Sequence, residues 1–351
     1  MTRGGAASSS SPSSPSPAGP VAVIGAGSWG TALAIQYART GRETRMWGRE
    51  TEEVGEMREL RENPAYLPGA RFPEALQPEP DLAAALDGVT DVLIVVPSHG
   101  LRETLVKVRD AAARLPLRVS WATKGFELET GKLPHEVARE VLGEDVPVAV
   151  LSGPTFAKEV GAGLPTALTV ASPDADFARE IAESISTDNF RAYTSADMIG
   201  VEVGGAVKNV LAIGAGLSDG LGFGANTRIA LITRGLIEMT RLGVAVGADR
   251  DTFMGLAGMG DLVLTCTDNQ SRNRRMGLAL AAGKTVAEAE AEIKQVVEGV
   301  LAARAVWEKA QALGVEMPIA EQIYRIIYEQ KSPQEAVTDL MRRALKPENV
   351  I

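Results

Sequence analysis

A lysine stands one turn beyond a glycine pair in Glu202-Val-Gly204-Gly205-Ala-Val-Lys208-Asn209-Val-Leu-Ala212, at the i+3 and i+4 spacing that shares one helix face. An amine so placed is a candidate proton carrier. Two glycines inside a helix cost about 1 kcal/mol each relative to alanine. Either a ligand lies close against that bare backbone, or a neighbouring helix packs tightly there and the lysine surfaces. Further on, Gly258-Met-Gly260-Asp261-Leu-Val-Leu-Thr265 leads into Ser271-Arg272-Asn273-Arg-Arg275, which gathers a carboxylate, hydroxyls, a guanidinium and an amide in one stretch. Ser-Arg-Asn at a helix start suits a phosphate, because arginine forks onto two oxygens and backbone N–H groups add to it. The bland alternative is a capped helix with a basic, solvated first turn. Arginines there oppose the helix dipole unless an anion is present. The run Gly214, Gly216, Gly220, Gly222, Gly224, followed by Asn226-Thr227-Arg228, predicts a mobile inter-helix segment beside the same cleft.

These groups need elements to hold them. Near the N-terminus the β-branched run Val21-Ala-Val-Ile enters Gly25-Ala-Gly27-Ser28-Trp29-Gly30, and an Ala-rich helical pattern leaves it. A strand, a Gly-x-Gly-x-x-Gly turn and a helix make a dinucleotide fingerprint. Gly25 permits the turn, Gly27 admits a pyrophosphate to the backbone, and Gly30 lets the helix close on the strand. An ordinary glycine-rich turn, or an adenosyl-donor site, has a similar pattern. The second strand is expected at 43–48. NAD enzymes usually carry an acidic residue at its end to hold the ribose 2′-hydroxyl. Arg49 stands there, with Glu50 one place later. Either Arg49 pairs with a 2′-phosphate, which leans the cofactor toward NADP over NAD, or it is a solvated loop residue.

Residues 61–81 are rich in proline and predict a long irregular loop or lid. Asp91–Pro97 is a continuous apolar run, hence a buried parallel strand, and it delivers Ser98-His99 at its carboxyl end. His99 suits helix initiation or cofactor packing better than catalysis. Strands at 117–122 and 147–152 deliver Lys124-Gly125 and Gly153-Pro154-Thr155-Phe156-Ala157. Two more are expected at 166–172 and 190–194, around a helix at 174–186, with all strands serving one end of the sheet. From about 196 the periodicity turns helical. The expected fold is an α/β Rossmann-like N-terminal domain over 20–195, followed by an all-α C-terminal domain over 196–351 that ends in a charged, frayed tail.

The chain has 351 residues, enough for two cores, and its net charge of −9 argues against a general nucleic-acid surface. An anionic substrate therefore requires a local basic pocket. The single cysteine, Cys266, excludes an intrachain disulfide and suits a reducing cytoplasm. No uninterrupted apolar run reaches the roughly 18–20 residues of a membrane span. Residues 1–19 are Ser/Pro/Gly-rich without an apolar stretch and read as a disordered leader, neither a signal peptide nor a convincing transit peptide.

Taken in order, Gly-x-Gly-Ser-Trp-Gly-Thr-Ala, Ala-Thr-Lys-Gly at 122–125, Ser-Gly-Pro-Thr-Phe-Ala at 152–157, Val-Lys-Asn at 207–209 and Gly-Asp-Leu…Ser-Arg-Asn at 260–273 resemble the bacterial glycerol-3-phosphate dehydrogenases that use NAD or NADP. The match runs in register over about 20–345. The resemblance implies reduction of dihydroxyacetone phosphate to glycerol 3-phosphate for phospholipid synthesis. It implies Lys208 as proton donor and acceptor, and substrate contacts from Lys124, Gly153, Thr155, Lys208, Asp261, Ser271, Arg272 and Asn273. The cofactor contacts it implies are Gly25, Gly27, Ser28, Trp29, Gly30, Arg49, Lys124, Ala157, Arg272, Val296 and Glu298, with no metal. A helical second domain of this kind also suggests a homodimer, by analogy. Without the resemblance, Glu298 reads as a helix-surface carboxylate.

Three other readings compete. A hydroxy-acid dehydrogenase of the same architecture does not need the Ser271-Arg272-Asn273 cluster. A nucleotide-sugar oxidiser needs a reactive thiol, whereas Cys266 follows an apolar run and is expected to be buried. A non-catalytic NADP sensor has no chemical use for Lys208.

Overall fold

The computed structural model describes residues 19–112, 116–344 and 347. The leader at 1–18 and most of the tail beyond 344 lie outside them.

The N-terminal half is one sheet clad by helices. Its strands are β1 (Val21–Ile24), β2 (Thr44–Trp47), β3 (Leu76–Glu79), β4 (Asp91–Ile94), β5 (Arg118–Trp121), β6 (Val148–Ser152), β7 (Thr166–Ala171) and β8 (Phe190–Ser195). They lie in the order β3-β2-β1-β4-β5-β6-β7-β8. Around them run α1 (Ser28–Arg39), α2 (Thr51–Leu60), α3 (Leu82–Leu86), α4 (Leu101–Ala111), α5 (Pro134–Leu142), α6 (Ala157–Ala162) and α7 (Ala175–Ile185). Every residue of β1 and β4 is buried, because helices cover both faces of the sheet. Val21 pairs with Thr44 on one side and Asp91 on the other. β1 thus flanks the point where the strand order reverses, and the crevice beyond its carboxyl end is where such sheets bind ligands.

Two expectations change here. Residues 61–81 are not wholly irregular, since β3 lies within them and pairs in parallel with β2. Its Pro78 is tolerated because β3 is an edge strand. The earlier part of the segment is fastened down rather than free. The Asn63 side chain donates to the Ala26 carbonyl at 2.8 Å and to Thr31 Oγ1 at 2.8 Å, and the Ser28 hydroxyl donates to the Tyr66 carbonyl at 2.7 Å. Nor do all strands serve one end, because β7 runs antiparallel to β6, and β8 follows β7. Only the first six deliver their carboxyl ends together.

The second half is helical: α8 (Met198–Gly220), α9 (Ala225–Ala245), α10 (Asp261–Thr267), α11 (Arg272–Ala281), α12 (Val286–Ile293), α13 (Glu298–Leu313), α14 (Pro318–Tyr328) and α15 (Pro333–Met341). α8 is its axis. By length and composition it is apolar enough to cross a membrane, a property that a search for uninterrupted apolar runs misses, yet 94% of its apolar window is buried within the fold. Asp197 caps its start, accepting from the Gly200 amide at 2.9 Å, and also accepts from Thr252 Oγ1 at 2.6 Å.

Only the end of the glycine run, Gly222 and Gly224, lies in the expected connection between α8 and α9. Gly214, Gly216 and Gly220 lie inside the helix. A Cβ on Gly216 would overlap the carbonyl oxygen of Arg274, and one on Gly277 the carbonyl oxygen of Ile213. α8 and α11 therefore touch backbone to backbone. Asp219 then ties three helices, pairing with Arg228 of α9 at 2.7 Å and Arg274 of α11 at 2.6 Å.

Candidate active site

Asp261 is the centre of the site. It opens α10 directly after a π-helical turn, Leu256–Gly260, closed by a Gly260 N–H to Gly255 carbonyl bond of 3.1 Å. Single π-helical turns of this kind are frequent at functional sites. Asp261 is 1% exposed, and its two oxygens take two different ammonium groups: Oδ1 accepts from Lys208 Nζ at 2.6 Å, Oδ2 from Lys124 Nζ at 2.7 Å. Lys208 Nζ also donates to Thr265 Oγ1 at 3.1 Å. One turn after Asp261, Thr265 holds its place by donating to the Asp261 carbonyl at 2.6 Å.

The electrostatics follow from burial and the sharing of one carboxylate. Burial pushes the Lys208 pKa down to about 8; Asp261 opposes the shift and Lys124 reinforces it. Burial alone would raise the Asp261 carboxyl, but the two lysines hold it below the usual carboxylate range. Lys208 is thus an amine that gains and loses a proton near neutrality. The surfacing-lysine alternative is excluded by its burial. The glycine pair, however, answers to close packing. A Cβ on Gly204 would press on the Ala257 carbonyl, and one on Gly205 would meet Lys124 Cγ at 3.3 Å and Ser152 Oγ at 3.4 Å.

The Ser271-Arg272-Asn273 stretch divides its labour. Ser271 caps α11, accepting from the Arg274 amide at 3.1 Å. The Asn273 amide is committed within the protein: it donates to Asn209 Oδ1 at 2.8 Å and accepts from the Gly299 amide at 2.9 Å. Asn209 in turn donates to Glu298 Oε2 at 3.4 Å, so Glu298 is not a free surface carboxylate. Arg272, half-buried in the first turn of α11, has no hydrogen bond or ion pair among the described residues. A guanidinium at a helix N-terminus with no internal partner is poised for an external anion.

At the glycine turn, Gly25 has φ +121° and a Cβ there would strike the Val95 carbonyl oxygen; a Cβ on Gly30 would strike that of Gly25. Gly27 is different, since nothing lies within 4 Å of where its Cβ would be. It caps α1 with no side-chain partner for the helix N-terminus. Trp29 Nε1, in the first turn, is buried without a hydrogen-bond partner. An open cradle, an uncapped helix start and an orphaned indole donor fit a dinucleotide pyrophosphate and its neighbours. The end of β2 abuts this turn, the Gly25 amide donating to the Trp47 carbonyl at 3.0 Å. Arg49 is held there at the surface, 81% exposed and 2.8 Å from Glu50. Gly153 and Thr155 follow β6, Ala157 begins α6, and Val296 is exposed just before α13. Cys266 is buried, and burial pushes its thiol up to about 12, which excludes a reactive thiolate. His99 sits exposed in a short turn after β4.

Sequence reasoning singled out neither Thr265 nor Asn209 by role, although Thr265 stands four residues after Asp261 on one helix face and Asn209 adjoins Lys208.

A doubly wound sheet with an open glycine cradle, joined to a helical domain that carries a buried lysine, defines a two-domain nicotinamide-dinucleotide dehydrogenase. Comparison with known proteins narrows the class. The N-terminal domain description of the NAD-dependent glycerol-3-phosphate dehydrogenases matches residues 20–188, and their C-terminal description matches 197–338. The chain belongs to this family. It is 55% identical to a glycerol-3-phosphate dehydrogenase (NAD(P)+) of Shewanella halifaxensis over 93% of this chain and 97% of that one. It is 57% identical to that of Serratia proteamaculans over 93% and 96%. The crystal structure of the Coxiella burnetii glycerol-3-phosphate dehydrogenase superposes with a TM-score of 0.89 at 49% identity, covering 93% of this chain and 99% of that one.

Proposed function

We infer that this chain catalyses the reversible NAD(P)H-dependent reduction of dihydroxyacetone phosphate to sn-glycerol 3-phosphate, the backbone unit for glycerophospholipid synthesis. The observation that carries the chemistry is the buried carboxylate of Asp261 shared by Lys208 and Lys124. The dinucleotide, when bound, supplies the hydride that reaches C2. As C2 is reduced, the carbonyl electron pair moves onto its oxygen, and Lys208 delivers a proton from Nζ to give the secondary alcohol. In the reverse direction neutral Lys208 takes the hydroxyl proton. Positioned acid–base groups of this kind contribute about 10²–10⁴-fold. Asp261 fixes Lys208 in place, and Lys124 adds positive charge where the alkoxide develops.

The substrate-binding set is Lys124, Gly153, Thr155, Lys208, Asp261, Ser271, Arg272 and Asn273. Arg272, the unpartnered guanidinium, takes the phosphate, while Ser271 and Asn273 set its helix. The cofactor set is Gly25, Gly27, Ser28, Trp29, Gly30, Arg49, Lys124, Ala157, Arg272, Val296 and Glu298. Arg49 inclines the choice toward NADP, because it is exposed and free to turn from Glu50 to a 2′-phosphate. The domains divide at 195/196, the chain works in the cytoplasm, and it pairs as a homodimer. The exposed Ile229 and Val244 of α9, with the nearby Met254, support that last reading.

The test is oxidation of NADPH and of NADH with dihydroxyacetone phosphate, beside unphosphorylated dihydroxyacetone. Turnover confined to the phosphate ester is expected, with NADPH favoured and the preference reduced in Arg49→Ala. Tight cofactor binding without turnover on either substrate would return the sensor reading.

A further inference from the structure

A buried polar cluster lies away from the two lysines yet on both of the elements that carry them. Glu202, on α8, is 3% exposed. Its Oε1 accepts from Trp121 Nε1 at 2.9 Å and from the His135 amide at 3.0 Å, and its Oε2 meets His135 Nδ1 at 2.5 Å. Trp121 is the last residue of β5, and Lys124 follows three positions later. His135 lies in the first turn of α5, so the Glu202 carboxylate caps a helix of the nucleotide domain from within the helical domain. Lys208 stands six residues beyond Glu202 on the same helix. Two connections thus link the β5 side to α8, one through Asp261 of α10 at the reacting groups and one directly through Glu202. Only the first is used by the chemistry.

We propose that Glu202, His135 and Trp121 form a positioning latch that fixes the β5–α5 edge against α8, so that Lys124 and Lys208 reach opposite oxygens of Asp261. The argument is geometric. The carboxylate is fully enclosed and receives three donors, all from the nucleotide domain, and removing one partner of such a set leaves buried polar groups unpaired. The helical domain alone gives Glu202 no use. Among the described residues its hydrogen-bond partners are Trp121 and His135. With the latch intact, Lys124 stays beside Lys208; with it loosened, the ammonium groups move apart and water reaches Lys208. The groups facing Lys208 are Asp261, Thr265 and Lys124, with Cys266 buried nearby. This rests on the assignment of Lys208 as the proton carrier, and the test separates the two.

The variants are His135→Leu, which removes the ring donor while keeping the backbone amide, and His135→Asn, which places an amide where Nδ1 was. Glu202→Ala removes the whole latch. The readouts are kcat and KM for dihydroxyacetone phosphate, the acid limb of the pH profile for glycerol 3-phosphate oxidation, NADPH affinity by fluorescence, and melting temperature. His135→Leu is expected to lower kcat roughly 10- to 100-fold, as ångström-scale misplacement does. Its acid limb should move up by about half a pH unit or more as Lys208 regains water and loses Lys124. NADPH affinity should stay within about twofold, and His135→Asn should restore both kcat and the limb. Wild-type kcat and an unmoved limb in His135→Leu overturn the latch. A joint loss of kcat, NADPH affinity and melting temperature that Asn does not rescue also overturns it, in favour of a purely structural cluster. If Glu202→Ala does not fold, the His135 pair decides alone. Lys208→Met is the control: retained turnover there overturns the proton-carrier assignment, whereas an inactive Lys208→Met beside a normal His135→Leu removes only the latch.

Discussion

At the scale of the residue, burial lowers the pKa of Lys208 to about 8 although Asp261, whose carboxylate it shares with Lys124, opposes the shift, and the result is a lysine that titrates near physiological pH. The sign of its effect on rate differs with direction. With Lys208 as the proposed proton carrier, ketone reduction uses the protonated amine, so turnover is expected to fall as pH rises through about 8. Alcohol oxidation uses the neutral amine, so turnover rises through the same region. Lys208→Met should keep NADPH affinity, lose about 10²–10⁴-fold in kcat and erase both limbs; stopped-flow and steady-state rates across pH 6–10 check this, and a surviving limb near 8 would assign the proton to another group. Lys208, Asp261 and Arg272 were legible in the sequence as residue types suited to phosphate and proton chemistry. The roles of Ser271 and Asn273 were less so. A hydroxyl and an amide beside an arginine look like ligand contacts, but burial commits them first to a helix cap and to Asn209.

At the scale of the element, helix ends are satisfied across long sequence distances. Glu238 of α9 accepts from the Ile319 amide at 2.7 Å and the Ala320 amide at 3.1 Å, capping the start of α14. Burial pushes its carboxyl up to about 7 despite those two donors. A carboxyl whose folded pKa lies above its unfolded value binds more protons when folded. Its contribution to stability is therefore full below about pH 4 and lost as pH rises through about 7. Glu238→Gln should remove that part of the slope; melting temperatures of both proteins from pH 4.5 to 8 test it, and parallel curves would show that Glu238 does not titrate there. Strand and helix positions were readable from apolar periodicity, as in β4 and α7. The reversal of β7 was not. A buried strand has the same composition in either direction, and only pairing reveals which way it runs. β3 escaped notice because an edge position tolerates the proline that argues against a strand.

At the scale of the molecule, the sheet domain offers the open glycine turn and the helical domain the buried Lys208, and Lys124 reaches from one to the other. If the exposed apolar side chains on α9 pair two copies, sedimentation equilibrium should return twice the 37.0 kDa chain mass; a single-chain mass at micromolar concentration overturns the homodimer. The division into two domains was visible as a change of period, whereas the packing that welds the helical part was not. Glycines at 214–224 look like slack in a sequence, because composition does not distinguish a loop from a seam. At Gly216 and Gly277 the contact between α8 and α11 is backbone against backbone, with no side chain there to rearrange. Its consequence is genetic as much as mechanical. A single base change turns a glycine codon into one for alanine, serine or a larger residue. In a saturation screen of cells that depend on this enzyme, grown without added glycerol 3-phosphate, Gly216 and Gly277 should show the intolerance expected of reacting residues although neither carries a functional group.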